Sequence, residues 1–182
     1  MYGIINQSIQ ELITKEYGEE IWLKIVSGCK MDIIEFENHK LYDDTYTYVL
    51  AEAAANELHI SLDQILMRFG EFWIIDISMK KYPMLMTSGG MNFEEFMRNL
   101  PNFHNRIFLS YPDLVAPEFK IEEVDNIFFI EYHSSRKGLT KMMEGMLHGL
   151  GKMFNEKDII ITLDRERDEQ NPFDLFKIVL AR

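Results

Sequence analysis

The sequence of 182 residues predicts an α+β protein, in which helices come first and an antiparallel sheet with one interposed helix follows. Apolar residues recur at helical spacing through most of the first 110 residues, and again between residues 137 and 154. Short apolar segments within 118–133 and 158–180 are typical of strands instead. With 47% hydrophobic and 13% aromatic residues, the chain is large enough for one domain with a single sizeable core.

The first part of the sequence is predicted to form amphipathic helices joined by loops. Ile4, Ile9 and Leu12 share one helical face, and Gly18 ends that helix. Ser61 and Gln64 have the spacing of a capping box, which opens a helix. The predicted elements are helices over 4–18, 19–27 and 46–58, a loop with a short turn of helix over 30–44, a capped helix from 61 through 73, and a turn-rich connection over 84–90.

His104 lies on the apolar side of another predicted helix. Asn92 has the position of its N-cap, and the apolar stripe runs through Leu100 and His104 to Phe108. Pro101 is predicted to restart a short helix, because proline is favoured in a first turn. A histidine on such a stripe is more often a core side chain than a ligand.

The remaining chain is predicted to contain the sheet. Pro112 and Pro117 fix the connection that precedes it, since proline cannot continue a helix. The charged segment 164–168 is predicted to be a solvated turn and not a metal site. The predicted elements are strands over 118–123 and 126–133, a helix over 137–154, and strands over 158–163 and 173–180.

Composition excludes several classes of function. A net charge of −11 argues against binding to nucleic acid or to an anionic membrane surface. No apolar run of about 20 residues and no leader pattern occur, and the single Cys29 cannot form an internal disulfide, so a cytoplasmic protein is expected. Neither G-x-S-x-G nor H-E-x-x-H occurs, so no hydrolase is indicated.

Tyr132, Ser134 and Arg136 alternate at the end of a predicted strand. Side chains at alternate strand positions point to the same face, which predicts a row of two hydroxyls and one guanidinium. A guanidinium offers a planar fork of donors that suits a carboxylate or a phosphate. The row is therefore a candidate anion site, although an edge strand with a polar outer face is a common alternative.

Together with His104, the pattern Tyr132-x-Ser134-x-Arg136 resembles the H-NOX family, the haem nitric oxide/oxygen-binding domains. The family includes the haem domain of soluble guanylate cyclase and stand-alone bacterial proteins. The resemblance covers the whole chain, in length, in the order of elements and in both motifs. It implies a single H-NOX haem-binding domain over residues 1–182, with a helical part over about 1–60, a haem-enclosing α+β part over about 61–182, and haem between the two.

The resemblance also implies roles for individual residues. His104 would ligate the haem iron, and Tyr132, Ser134 and Arg136 would hold the propionates. The cofactor would be heme b, bound without a covalent link because C-x-x-C-H is absent. The other residues placed at the haem are Ile5 near its open face, Trp73 on its distal side, Pro117 packed against it, and Met142 and Met146 on the following helix. Core packing explains Ile5 and Trp73 equally well.

In oxygen-binding members of the family, a distal tyrosine on the helix after the motif donates a hydrogen bond to the gas. Met142 occupies that position here, three residues before Gly145. The resemblance therefore implies a haem-based sensor that binds nitric oxide and carbon monoxide but does not bind oxygen stably. Nitric oxide would weaken the bond between iron and His104, and the resulting shift of the fold would be detected by a partner protein.

The expected partner is a separate protein such as a histidine kinase or a diguanylate cyclase, and the chain itself is not expected to be an enzyme. One alternative is a peroxidase-like haem enzyme, which needs a distal acid–base histidine. His133 and His148 are the nearby candidates, and neither is predicted to share a face with Met142. The other alternative is a haem-free module whose Tyr132, Ser134 and Arg136 bind a different acidic ligand.

Overall fold

The structure is a computed structural model that describes residues 1–29, 31–111, 113 and 115–180. In this part of the chain the helices come first and the strands follow, with one helix between two strand pairs, which confirms the predicted α+β order. The chain divides into two compact units, Met1–Phe69 and Gly70–Arg182. The predicted division lies near residue 60, and the assignment of the whole chain to one haem-binding domain stays a prediction. Pro112 lies outside the described residues.

The first unit is helical. Gly18 ends its first helix with φ of +91°, a conformation that suits glycine. The predicted short turn of helix over 30–44 is wrong for the described residues, because this segment pairs its backbone with the chain start, where Gly3 donates to Lys40 at 2.9 Å. The helices are α1 (Gly3–Tyr17), α2 (Glu19–Gly28), α3 (Asp44–Leu58) and most of α4 (Leu62–Phe72).

The predicted capping box opens α4. The backbone N–H of Gln64 donates to Ser61 Oγ at 3.1 Å, and the backbone N–H of Ser61 donates to Gln64 Oε1 at 2.9 Å. The second unit begins within this helix, which continues through a π-helical segment, Trp73–Ser78, into α5 (Met79–Lys81). A short helix, α6 (Pro83–Thr87), replaces part of the predicted turn-rich connection, because proline favours the first turn of a helix.

The helix that carries His104 is α7 (Phe93–Ser110). Asn92 caps it as predicted, by accepting a hydrogen bond from the Glu95 N–H at 2.8 Å. The predicted restart at Pro101 is wrong, because α7 runs through this residue as one helix of 18 residues. Burial of apolar side chains on both sides of the proline explains its continuity. The fully or nearly fully buried residues of this face are Phe93, Phe96, Met97, Leu100 and Phe103.

The sheet contains four antiparallel strands in the order β1-β2-β4-β3. Asp125 and Asn126 both have positive φ, +50° and +64°, as a two-residue hairpin requires. One face of the sheet packs against α7 and the interposed helix around a shared core that includes Phe128, Phe176 and Leu147. The elements are β1 (Glu118–Val124), β2 (Ile127–His133), α8 (Thr140–Met153), β3 (Ile159–Arg165) and β4 (Asp174–Leu180).

A search of the helices within the described residues finds none with the length and apolar character needed to cross a membrane.

Candidate functional site

His104 lies among aromatic rings at the boundary between α7 and the sheet. Its ring centroid is 4.5 Å from that of Phe119 on β1 and 5.7 Å from that of Phe103 on α7. The side chain keeps part of its surface accessible, although protein surrounds most of it. His104 is thus neither a surface residue nor a fully enclosed core residue.

The hydrogen bonding of His104 leaves one ring nitrogen available. Nδ1 lies 3.3 Å from the backbone oxygen of Leu100, one helical turn earlier. Since a carbonyl oxygen can only accept, Nδ1 carries the proton and Nε2 keeps its lone pair. Burial lowers the pKa of His104 to about 4, against the smaller opposite effect of the Leu100 carbonyl. Near neutral pH the imidazole is therefore uncharged and able to act as a metal ligand through Nε2.

Tyr132 joins His104 through an aromatic neighbour. The Tyr132 ring stacks on Phe119 with centroids 5.5 Å apart and an interplanar angle of 29°, and Phe119 in turn contacts His104. Tyr132 lies on the core face of β2 and is only 6% exposed. His104 and Tyr132, 28 residues apart in the chain, therefore belong to one aromatic cluster.

Ser134 and Arg136 follow β2 instead of belonging to it. The strand ends at His133, so the expected alternation of one strand face does not extend to these two residues. Ser134 Oγ instead accepts a hydrogen bond from the Arg136 backbone N–H at 3.2 Å, which shapes a tight turn. The Arg136 guanidinium donates to the backbone oxygen of Val115 at 2.7 Å. Arg136 thus reaches the segment that carries the half-buried Pro117.

Arg167 is a functional candidate that the sequence prediction missed. It lies between β3 and β4 in the segment predicted to be a solvated turn, yet its side chain is only 15% exposed. Its guanidinium packs over the Tyr132 ring at 5.2 Å and donates to the backbone oxygens of Ser134, at 2.6 Å, and Arg136, at 3.2 Å. No local pattern distinguishes it from Arg165, so no signal in the sequence could have identified it.

Asp174 is the acidic partner of Arg167. Arg167 donates to Oδ1 through Nε at 3.0 Å and to Oδ2 through Nη2 at 2.6 Å, and Thr140 at the start of α8 donates to Oδ2 at 2.8 Å. Complete burial alone would raise the pKa of Asp174, but these hydrogen bonds outweigh that effect and hold the pKa below its usual range. The carboxylate is therefore charged and fully paired.

The helix α8 carries the predicted distal residues. Met142 is buried, whereas Met146 and Trp73 are half-buried and pack against the core of the second unit. A Cβ atom added at Gly70 would lie 2.0 Å from the Met142 backbone oxygen, so the two backbones are in direct contact there. The same Cβ would lie 3.0 Å from the Gly145 backbone carbon, so α8 approaches the end of α4 closely at this point.

His133 and His148 are separate from this cluster. His133 contacts Phe173, and its Nε2 donates a hydrogen bond to the Glu131 carboxylate at 2.9 Å, on the face of the sheet opposite to Tyr132. His148 is half-exposed on α8. Within the described residues, no three His, Cys, Asp or Glu side chains are grouped so as to bind a metal ion, and this includes the charged segment near Arg167.

Ile5 belongs to the first unit, where it lies half-buried on α1. Its place beside a haem stays a prediction.

Solved H-NOX structures have the same fold. An H-NOX protein from S. oneidensis, solved in the Fe(II)NO ligation state, superposes with a TM-score of 0.88 at 18% identity, covering 100% of both chains. The unliganded Fe(II) H-NOX protein from K. algicida gives 0.82 at 22% identity, covering 100% of this chain and 97% of that one. The fold is therefore the α+β H-NOX fold.

The sequence comparisons define the family. The Haem-NO-binding family, HNOB, matches residues 2–162, so the chain belongs to this family of haem-binding gas sensors. It is similar to soluble guanylate cyclase gcy-34 of Caenorhabditis elegans, with 31% identity over 90% of this chain and 24% of that protein. The chain spans about a quarter of the length of this protein and of two further soluble guanylate cyclases that it matches.

Proposed function

We propose that this protein is a nitric oxide sensor that holds heme b without a covalent link, with His104 as the axial ligand. The observation that carries the proposal is the state of His104: Nδ1 donates to Leu100, the pKa is lowered to about 4, and Nε2 remains available. A neutral imidazole with its second nitrogen held by a carbonyl is the usual form of a histidine that ligates a metal. When bound, haem would supply a ferrous iron with an open position for a diatomic gas.

Other predicted site residues suit the rest of a haem. Arg136 supplies a cation, and Tyr132 and Ser134 supply hydroxyls, for two propionates. Aromatic and methionine side chains that contact the core while keeping accessible surface, such as Trp73 and Met146, suit the wall of an apolar slot. Pro117 lies close in sequence to Val115, which Arg136 contacts, and this supports its place near the same cofactor. Ile5 and Met142 complete the proposed haem contacts.

The distal residues favour nitric oxide and carbon monoxide over oxygen. Oxygen gains stability from a hydrogen-bond donor, whereas the other two gases depend on one much less. Along α8, which is described in full, Met142 and Met146 have no donor, and the Thr140 hydroxyl donates to Asp174. Trp73 has one indole N–H at the start of the π-helical segment, a poor substitute for a directed hydroxyl.

Signalling would begin with release of His104. Loss of its metal bond would free the imidazole on α7 and change the contact that Pro117 would make with the cofactor. A ligand shifts a conformational equilibrium only by binding its states differently, and bond release provides that difference. We propose a partner in trans, such as a histidine kinase or a diguanylate cyclase, as the receiver. The proposal treats the chain as a sensor without enzyme activity, and places it in the cytoplasm, where the free Cys29 suits a reducing compartment.

The test is an absorption spectrum of the reduced protein after reconstitution with hemin. A five-coordinate ferrous haem spectrum that does not change in air, but shifts with carbon monoxide and with nitric oxide, is expected. His104→Gly should lose this spectrum and regain it when imidazole is added, because added imidazole replaces the missing ligand.

His148→Ala is the matched control and should behave like the wild-type protein. A stable oxygenated spectrum would contradict the proposed gas selectivity. If hemin gives no specific spectrum, the haem assignment is wrong, and Tyr132, Ser134 and Arg136 would have to bind another acidic ligand. Loss of the spectrum in His148→Ala but not in His104→Gly would contradict the ligand assignment.

A further inference from the structure

We infer that Arg167 is a positioning residue for the site that binds the haem propionates, acting through the backbone of Ser134 and Arg136. This inference rests on the proposed haem site and adds to it a residue outside the Tyr132-x-Ser134-x-Arg136 pattern. Arg167 is not itself proposed to bind a propionate, because its charge is paired with Asp174.

Different nitrogens of the Arg167 guanidinium donate hydrogen bonds to different partners. The edge formed by Nε and Nη2 holds both carboxylate oxygens of Asp174, at 3.0 and 2.6 Å. The remaining nitrogen, Nη1, donates to the backbone oxygens of Ser134 and Arg136. The backbone N–H of Arg167 also donates to Asp174 Oδ1 at 2.8 Å, which holds its main chain in place.

The turn that presents Arg136 is therefore restrained from two sides. Inside the turn, Ser134 Oγ accepts from the Arg136 N–H. Outside it, a single nitrogen of Arg167 binds the carbonyls at both ends of the Ser134–Arg136 tripeptide. Because a propionate needs donors at fixed positions, the conformation of this turn determines how well Arg136 and Ser134 bind it.

Asp174 fixes the direction of the guanidinium. It lies opposite Tyr132 in the register of β2 and β4, so its carboxylate is at the same end of the sheet as the motif. Thr140 donates to the same carboxylate from the first turn of α8. The buried pair thus joins three parts of the site: the end of β2, the turn after it and the helix that carries Met142 and Met146.

Lysine cannot perform the task of Arg167. It has a single charged nitrogen and no planar fork, so it can neutralise Asp174 but cannot hold Asp174 and both carbonyls at once. Arg167→Lys therefore removes the restraint on the turn while it keeps the buried carboxylate paired. Arg165→Lys is the matched control, because Arg165 lies two residues earlier and stacks on Phe173 at 4.6 Å, away from the motif carbonyls.

The experiment measures the rate at which reconstituted protein loses haem to excess apomyoglobin, in parallel with the thermal unfolding of the haem-free protein. Arg167→Lys is expected to lose haem about tenfold faster than wild type, as is usual when a residue that orients a ligand-binding group is removed. Arg165→Lys is expected to match wild type. The same rates are then measured with haem dimethyl ester, in which both propionates are esterified and lack charge.

Comparing the loss of haem with the loss of the ester distinguishes a positioning role of Arg167 from a general loss of stability of the fold. If Arg167 acts through the propionate site, Arg167→Lys has little effect on loss of the ester, and Arg136→Ala gives the same pattern. Equal acceleration for haem and for the ester would overturn the inference, and so would unchanged haem loss in Arg167→Lys. A wild-type protein that takes up no haem would overturn the proposed function and this inference together, whereas normal haem binding in every Arg167 variant would overturn the inference alone.

For variants that fold poorly, Arg167→Met combined with Asp174→Leu provides a second test. Replacing a buried ion pair by apolar residues of similar volume usually preserves stability. This double variant should unfold near the wild-type temperature. It should nevertheless lose haem faster than the wild-type protein does, while it loses the ester at nearly the wild-type rate. If it retains haem as the wild-type protein does, Arg167 has no positioning role.

Discussion

Acidification of the haem-free protein tests the environment of His104. In the folded chain burial lowers the pKa of this residue from its ordinary value of 6.5 to about 4. At a pH between these two pKa values, an unfolded chain binds a proton on His104 that the folded chain does not bind. Since protons then favour the unfolded state, the contribution of His104 to stability is present above pH 6.5 and is lost as the pH falls toward 4.

The size of the effect follows from the two pKa values. From pH 7 to pH 5, the difference in proton binding at His104 lowers the free energy of unfolding by about 2 kcal/mol. The full lowering of the pKa corresponds to about 3 kcal/mol.

Urea unfolding followed by far-ultraviolet circular dichroism measures this difference at pH 7 and at pH 5. His104→Leu is the reference, because leucine has similar bulk and does not titrate. The wild-type protein should lose about 2 kcal/mol more than the variant over this interval. Equal pH dependence of the two proteins would refute the conclusion that His104 is buried in its neutral form.

Three further predictions concern other parts of the site. Gly70→Ala should lower the free energy of unfolding by about 3 kcal/mol or more, since its Cβ would lie 2.0 Å from the Met142 backbone oxygen, and chemical denaturation measures this. Met142→Tyr should slow the loss of oxygen from the reduced protein, because the new hydroxyl can donate to the gas, and rapid-mixing absorption spectroscopy measures the rate. Arg136→Ala should weaken haem binding about tenfold or more, by removing a charge-assisted contact, as measured by hemin titration.

Each of these three variants has a control variant elsewhere in the chain or at the same position. Gly28→Ala adds a Cβ with no atom within 4 Å and should leave the stability nearly unchanged, so a similar loss in both glycine variants would contradict the packing argument. Met142→Phe has the bulk of tyrosine without the hydroxyl and should not slow oxygen loss; if it does, bulk and not hydrogen bonding is responsible. Arg106→Ala removes a cation that donates to Ser88, and equal weakening of haem binding there would argue for a general charge effect.

Several features of this protein could be predicted from short stretches of sequence. Helical periodicity, the capping box at Ser61 and the hairpin near Asp125 depend on contacts between residues close in the chain, so their patterns are visible locally. The same holds for His104, which lies on a regular apolar stripe. Local patterns failed at Pro101, where burial along the whole of α7 outweighs the preference of proline for a helix start.

Describing the candidate site required both the sequence patterns and the tertiary structure. The sequence by itself determined that His104 and the Tyr132-x-Ser134-x-Arg136 motif are the residues to examine, and the resemblance that they carry agrees with the family match. Only the tertiary structure decided how they are held: Phe119 lies between His104 and Tyr132, and Arg136 contacts Val115. These contacts join residues on different elements, and no spacing in the chain encodes them.

Arg167 and Asp174 show most clearly why sequence patterns alone do not reveal the whole site. In the sequence, Arg167 is one charge within a charged segment that composition predicts to be solvated. In the structure, the fully buried Asp174 makes solvent exposure of its partner unfavourable, because an unpaired buried carboxylate is costly. The burial of Asp174 depends on its place opposite Tyr132 in the sheet. Sequence patterns therefore indicated the candidate binding groups, whereas strand register and burial determined which side chains hold those groups in position.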